Sequence, residues 1–166
     1  MTIANTNPRI GTSSNLATGG TYDILMITYP DGFPEGQIEF GFDDTPRKVT
    51  GVQKVAQLFT KTLLTTKGSD VIYPNRGTMF PVYTINANVV TNDQVLQSNL
   101  VSAVNDAFSQ TKASLSTDPD PSSRLAQVQI AGFNTTDESV TMFIQIVTAS
   151  GISAQVAVPF PQFGLT

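Results

Sequence analysis

The most regular pattern in this sequence is the alternation of apolar and polar residues along its last third. Three segments show it, residues 124–133, 139–148 and 152–158. A period of two residues is typical of strands that bury one face, so the three segments predict β-strands. Short groups of turn-forming residues separate them, and the simplest arrangement is an antiparallel meander with residues 139–148 in the centre. We expect an outer strand to form an open edge of this sheet.

Two earlier segments, residues 46–65 and 92–112, have the 3.6-residue period of amphipathic helices. Pro46 is typical of a first helical turn, and Thr91 with Gln94 is a capping pair typical of a helix start. The apolar positions that define the two buried faces are Val52, Val55, Ala56, Phe59 and Leu63 in the first helix, and Leu96, Leu100, Ala103, Val104, Ala107 and Phe108 in the second.

The other segments predict turns, links and a hairpin. Residues 21–29 and 37–42 are β-prone and flank a turn-rich stretch, which predicts an antiparallel hairpin. Residues 71–81 predict an ordered loop, and residues 116–123 a non-helical link, because residues before proline avoid the α region. Residues 159–166 are expected to leave the sheet in an extended form.

Together these elements predict an α+β fold in three parts. Residues 1–20, rich in Ser, Thr, Asn and Gly, are expected to be a flexible arm, and residues 21–45 are the hairpin. Residues 46–166 are expected to form a domain in which two amphipathic helices pack on the three-stranded antiparallel C-terminal sheet. The length of 166 residues suits one such domain with its own core.

Composition narrows the functions that the fold can carry. The sequence contains no His, Cys or Trp, and 13% of its residues are charged, against about a quarter in ordinary soluble domains. His-dependent triads, Cys proteases, zinc sites and redox dithiols are therefore excluded. Acids are paired at residues 43–44, 118 with 120, and 137–138, but in turn and cap contexts where acids are frequent for local backbone reasons. We expect no catalytic residues, no cofactor and no metal.

Charge and hydropathy also bear on the partners. A net charge of −4 argues against nucleic acid, because phosphate binding needs clustered Lys and Arg. No apolar run approaches the roughly 20 residues that cross a bilayer, and the N-terminus lacks the pattern of a signal peptide. We expect neither nucleic acid nor membrane as a partner, and synthesis in the cytoplasm.

The basic residues are unevenly distributed. Five of the nine lie between residues 47 and 67, where the sequence has no acid. Arg47, Lys54 and Lys61 are seven residues apart and fall on one side of the first predicted helix, away from its apolar face. This basic stripe is either an ordinary solvated face or a docking face for an acidic partner.

The most specific spacing in the chain follows the first predicted helix. Gly68 comes after the helix end, Pro74 lies six residues later, Gly77 three after the proline, and Phe80 three after that glycine. This spacing, at this position after an amphipathic helix, resembles the sheath-initiator family of contractile phage tails. These are baseplate wedge proteins sometimes labelled "lysozyme-like".

The order of the remaining elements is similar to that family over residues 49–158. A second helix, a proline-containing link and three alternating strands follow in turn. One departure lies in the link, where the family's Glu-Pro-Arg is expanded to a stretch from Asp118 to Arg124. In the resemblance Arg124 stands for the family's arginine, with an aspartate in the role of the glutamate.

The resemblance implies a structural virion protein, one copy in each of six baseplate wedges. Its implied partners are other wedge proteins and the tail sheath protein, with the tail tube or hub as a further candidate. An open β-sheet edge can pair with an extended segment of a partner by β-augmentation. We expect this protein to initiate assembly of the tail sheath in that way. A proline at Val156 is expected to block attachment without unfolding the chain. The residues expected to contact partners are Arg47, Lys54, Lys61, Gly68, Pro74, Arg76, Gly77, Phe80, Arg124, Val156 and Val158.

Two alternatives stay open on the sequence. A peptidoglycan hydrolase would need an acid with a raised pKa in a cleft, and Glu39, between Ile38 and Phe40, is the acid embedded in an apolar stretch. Alternation places Glu39 on the solvent face of its hairpin. A tail-tube or tail-terminator protein would close into a ring through a larger barrel, which needs the hairpin to join the sheet.

Overall fold

The computed structural model describes residues 23–24, 27–28, 39–40, 48–85, 93–136 and 139–161. The predicted arm of residues 1–20 lies outside them. In chain order the described elements are β1 (Asp23–Ile24), β2 (Ile27–Thr28), β3 (Glu39–Phe40), β4 (Lys48–Val49), α1 (Gly51–Leu64), α2 (Phe80–Ile85), α3 (Asp93–Ser114), a 3-10 helix (Pro121–Ser123), β5 (Leu125–Thr135), β6 (Ser139–Thr148) and β7 (Ser153–Pro161).

The C-terminal strands form one antiparallel sheet in the order β5, β6, β7. At its middle, Ile144 of β6 lies opposite Ile130 of β5 and Val156 of β7. The predicted meander and its central strand are therefore confirmed. With the helices packed against this sheet, the molecule has the predicted α+β class.

The core lies between the sheet and the helices. α1 packs against α3 and contacts β6 and β7, whereas α3 contacts β5. Full burial of a large apolar side chain contributes about 1.5–3 kcal/mol, so this layer holds most of the domain's stability. Its fully buried large residues include Val55, Phe59 and Leu63 from α1, Phe80 from α2, Leu100 from α3, and Met142, Ile144, Ile146 and Val158 from the sheet.

The first predicted helix begins later than expected, at Gly51 rather than near residue 46. Lys48 and Val49 are instead a short strand that pairs with β1, with Val49 opposite Asp23. Val49 is 1% exposed and is one of the buried apolar residues of the chain. Gly51, the first residue of α1, has a φ of +61°, a conformation that glycine adopts without strain.

β2 and β3 lie in the two segments predicted as arms of a hairpin, and they pair antiparallel. Ile27 is opposite Phe40, and Thr28 is opposite Glu39. β1 pairs antiparallel with β4, the strand that lies just before α1, and forms a separate two-stranded ladder. Within the described residues, these short strands pair with each other and not with the C-terminal sheet.

A short helix, α2, occupies the end of the segment predicted as a loop. Its N-terminus is satisfied by Thr78, whose Oγ1 accepts a hydrogen bond from the Phe80 N–H at 3.0 Å. Pro81 is in the first turn, where its missing N–H leaves no bond unmade. The Phe80 ring meets Phe160 of β7 edge to face, with 5.9 Å between ring centroids, which fixes α2 on the sheet.

The last strand is longer than predicted. Residues 159–161 were expected to leave the sheet, but Pro159 lies opposite Thr141 and Pro161 opposite Ser139. Proline is tolerated here because β7 is an edge strand, where an N–H directed away from β6 has no ladder bond to make. The buried Phe160 between the two prolines contributes to keeping the strand on the core.

Candidate functional site

The centre of the predicted basic stripe on α1 is buried. Lys54 Nζ lies 2.6 Å from Asp118 Oδ2, and both side chains are more than nine-tenths buried. Asp118 is held in place because its Oδ1 also accepts the N–H of Asp120 at 3.0 Å. Lys54 therefore joins α1 to the link before the sheet, and its ammonium group is engaged inside the chain and not exposed as the predicted stripe requires.

The same side of α1 is covered further by neighbouring segments. Gln57 donates from Nε2 to Asp23 Oδ2 of β1 at 2.9 Å, and the Gly51 N–H donates to Ser123 Oγ at 3.0 Å. Lys61 is exposed, and Arg47 lies outside the described residues. Lys54 and Lys61 therefore do not share one exposed face, because the chain packs against Lys54 and leaves Lys61 in solvent.

The loop between α1 and α2 is fixed at its base by Thr78. Its Oγ1 donates to the Leu63 carbonyl at 2.7 Å, and its N–H donates to the Thr65 carbonyl at 2.8 Å. The Thr78 carbonyl accepts the Lys67 N–H at 2.9 Å. These bonds cap the C-terminal end of α1, so the two ends of the loop are held side by side.

Gly77 completes this base for two physical reasons. Its φ is +93°, and a Cβ at this position would lie 2.4 Å from the Thr65 carbonyl oxygen. The side chain of Gln110 in α3 bonds both main-chain groups of Gly77. Its Oε1 accepts the Gly77 N–H at 2.9 Å, and its Nε2 donates to the Gly77 carbonyl at 2.8 Å. The glycine in the predicted motif is therefore required by packing within the subunit.

The remaining motif residues divide between core and surface. Phe80 is 2% exposed and belongs to the core, so with Gly77 it is not available to a partner. Gly68, Pro74 and Arg76 are exposed in the loop. The motif thus combines buried residues that hold the base of the loop with exposed residues that a partner could reach.

The same loop exposes three bulky residues just before Pro74, and none of them was among the residues predicted to contact a partner. Val71, Ile72 and Tyr73 are 95%, 78% and 62% exposed. The glycines and prolines around this run predict an ordered loop, but they do not show whether its bulky residues are buried or exposed. The signal that was available is the turn-forming Asp70 before the run and Pro74 after it.

The expanded link organises two aspartates and leaves one arginine nitrogen unsatisfied. Asp120 accepts from the Ser122 N–H at 2.8 Å and from Ser122 Oγ at 2.6 Å, and these bonds hold the pKa of its carboxyl below the usual 3.8. Arg124 Nε is buried and has no hydrogen-bond partner among the described residues. Asp120 therefore caps the 3-10 helix and Asp118 binds Lys54.

The two edges of the C-terminal sheet differ. β7 carries Pro159 and Pro161, and its Val156 and Val158 are 4% and 1% exposed, so these two side chains lie in the core. A proline at Val156 would remove a core side chain opposite Ile144, and we now expect it to destabilise the fold itself. At this edge a partner could pair only with main-chain groups, and the prolines lack the N–H.

The β5 edge lacks these obstacles. Its eleven residues, Leu125–Thr135, include no proline and no charged side chain. Seven of them are exposed, among them Phe133 at 42%. Register shifts at Ala126 and Ala131 interrupt its pairing with β6, so two regular stretches, 127–130 and 132–135, present main-chain groups at the outer edge. In the part of the chain that the structure describes, no strand covers this edge.

Among the described residues, no group of three or more acidic, His or Cys side chains is placed to hold a metal ion. None of their helices is both long enough and apolar enough to cross a bilayer. The acid pairs 43–44 and 137–138, and the side chain of Glu39, lie outside what the structure describes.

Comparison of the chain with protein-family models, with curated proteins and with solved structures finds no match.

Proposed function

We propose that this chain is a structural protein that joins neighbouring subunits by strand addition at β5, in the baseplate of a contractile phage tail. The observation that carries the proposal is the uncharged, proline-free β5 edge. An open strand presents a row of N–H and C=O groups that an extended segment completes. Natural proteins usually protect such an edge with charges, prolines or β-bulges; β5 has no charge and no proline, and its two register shifts leave residues 127–130 and 132–135 regular.

The β5 edge is also presented rigidly. β5 pairs with β6 along its length and packs on α3, and Val128 and Ile130 contact the core. A partner strand therefore meets a preformed template, which lowers the entropy cost of binding. Main-chain pairing tolerates changes of side chain and of angle between subunits, which suits a joint in a tail that contracts.

The assembly and its partners come from the resemblance of the sequence. In the proposed role, six copies, one per wedge, bind other wedge proteins, and β5 receives an extended segment of the tail sheath protein. The expected location is the virion. The low content of charged residues, 13%, supports a subunit enclosed by neighbours, because each charge buried at an interface costs desolvation.

A proline at Ala131 tests strand addition. Ala131 is exposed and lies at a register shift, where it has no paired residue in β6, so proline there costs the fold little. Ala131→Ser is the matched control because it keeps the N–H. The measurement is co-purification of the full chain with the tail sheath protein encoded in the same genome, with circular dichroism as the check on folding.

We expect the wild type and Ala131→Ser to bind the sheath protein, and a folded Ala131→Pro to lose binding by about tenfold or more. Equal binding by the folded proline variant would refute strand addition at β5. A genome without a contractile-tail sheath gene would refute the baseplate assignment. Clearing of cell walls by the purified chain, or a stable ring of the chain alone, would favour the hydrolase or the ring protein instead.

A further inference from the structure

Three consecutive bulky side chains project from the loop between α1 and α2. Val71, Ile72 and Tyr73, named here the apolar knob, are 95%, 78% and 62% exposed. Single exposed apolar residues are ordinary, but a contiguous group on an ordered loop marks an interaction site. We propose that the apolar knob inserts into an apolar pocket with an acidic rim on a partner protein.

The knob is held in one conformation before any partner binds. Asp70 Oδ1 accepts the N–H groups of Ile72 and Tyr73 at 2.9 and 3.0 Å, and the Tyr73 carbonyl accepts the Arg76 N–H at 2.9 Å. Below it, Thr78 and Gln110 fix the base of the loop. Insertion therefore orders little additional chain, so most of the gain from burying the three side chains is available for affinity.

The charge at the tip favours a protein over a lipid surface. The two main-chain hydrogen bonds and the nearby Arg76 hold the pKa of Asp70 below its usual value, so its carboxylate is ionised beside the knob at neutral pH. Insertion into lipid would strip water from this charge without replacing it. The net charge of −4 also gives the chain no overall attraction to an anionic membrane.

The charges around the knob specify the rim of the pocket. Lys67 and Arg76, both exposed, flank it in sequence, and Asp70 is the acid between them. This loop is thus net positive in a chain that is net negative. Asp or Glu on the rim of the pocket would pair with the two cations and steer the approach of the knob.

A second copy of this chain is the less favoured occupant. It would have to receive the knob on a different patch of its surface, which is a head-to-tail contact. Such contacts continue into rings or filaments rather than stopping at a pair. Self-assembly of that kind is therefore a distinguishable outcome of the test.

A photo-crosslinking amino acid at position 72 identifies the partner. The full chain carrying p-benzoyl-phenylalanine at this exposed position is expressed where the chain naturally assembles, and the crosslinked protein and residue are identified by mass spectrometry. We expect one protein, crosslinked within an apolar pocket that has Asp or Glu at its rim. Crosslinks scattered over many proteins, or at a basic or flat surface, would overturn the proposal.

The purified partner is then titrated with variants of the full chain. We expect Ile72→Ser to weaken binding about tenfold or more, and Arg76→Glu to weaken it in low salt. The control is Val101→Ser on α3, which changes a residue 48% exposed and leaves affinity unchanged. Equal affinity of Ile72→Ser and wild type would contradict the role of the knob.

Two further measurements separate the other occupants. If the chain binds vesicles of phosphatidylcholine and phosphatidylglycerol and Ile72→Ser abolishes that binding, the partner of the knob is a membrane and the proposal of a protein partner is overturned. If sedimentation velocity shows that the chain alone forms oligomers and that Ile72→Ser abolishes them, the partner of the knob is a second copy of the chain. Ala131→Pro is expected to leave knob binding intact, so this proposal and strand addition at β5 fail independently.

Discussion

Lys54 and Asp118 form a buried ion pair, with 2.6 Å between Nζ and Oδ2, across 64 residues of sequence. The pair ties the first half of α1 to the link that leads into β5. It places the start of the proposed edge strand relative to the helical layer. The charge that seemed to be a surface feature of α1 is therefore part of the framework.

Removing one member of this pair is expected to be costly. Lys54→Met leaves the Asp118 carboxylate buried without its cation, and such losses cost about 3–5 kcal/mol of unfolding free energy. Urea unfolding of the wild type and of Lys54→Met measures this loss of unfolding free energy. The matched control is Lys61→Met, seven residues along the same helix but exposed, which should change stability by no more than about 0.5 kcal/mol. A similar small effect at Lys54 would show that the pair is not structural.

The cap at Asp120 predicts a pH dependence. Its pKa is lowered in the folded chain by the hydrogen bonds of Ser122. The stabilisation is therefore fully present above the unfolded value of 3.8 and is lost as the pH falls through the lower, folded pKa. Asp120→Ala should cost about 1 kcal/mol at pH 7, as capping residues do. We expect the difference in unfolding free energy between the wild type and Asp120→Ala to shrink as the pH is lowered from 7 through the folded pKa. A difference that stays constant with pH would contradict the role of the Asp120 carboxylate.

Alanine substitutions at the two glycines of the loop test why the motif has glycine at these two positions. Gly68 and Gly77 both have positive φ, +87° and +93°, but a Cβ at Gly68 would meet no atom within 4 Å. Gly68→Ala should cost about 1–2 kcal/mol from backbone strain alone. Gly77→Ala should cost clearly more in the same urea titration, because of the 2.4 Å approach to the Thr65 carbonyl oxygen. Equal effects would indicate that this close contact does not constrain the loop.

Gln110 is expected to control the order of the loop. Gln110→Ala leaves both main-chain groups of Gly77 without this partner, at a cost of about 1–3 kcal/mol. Hydrogen exchange of the amides in residues 66–76 should become faster, while exchange in β6 should be unchanged. Gln97→Ala, at an exposed position of the same helix, is the control. Unchanged exchange in the Gln110 variant would mean that Thr78 alone holds the base.

The sequence predicted the elements whose pattern is local. The alternation in β5, β6 and β7 and the helical period of α3 depend on neighbouring residues, so these elements lie where they were expected, apart from the longer C-terminal end of β7. The strand at Lys48–Val49 was missed because its partner, β1, is more than twenty residues away. Phe160 keeps β7 on the core despite two prolines, a packing effect that no local rule contains.

The candidate site was predictable only in part. Helical spacing places Lys54 and Lys61 on the same side of α1 but does not reveal that Asp118 packs against the first and leaves the second exposed. Likewise, the run Val71 to Tyr73 is apolar enough for a core, and only the hydrogen bonds of Asp70 and the base at Thr78 turn it outward. Tertiary contacts decided both outcomes.

Strand addition at β5 is tested most directly by hydrogen exchange of the chain bound to the tail sheath protein. We expect the exposed amides in residues 127–135 to gain protection on binding, while β7 and the loop between α1 and α2 change little. Ala131→Pro should abolish that protection and Ala131→Ser should keep it. A stable complex in which β5 exchanges as fast as in the free chain would contradict the proposed joint.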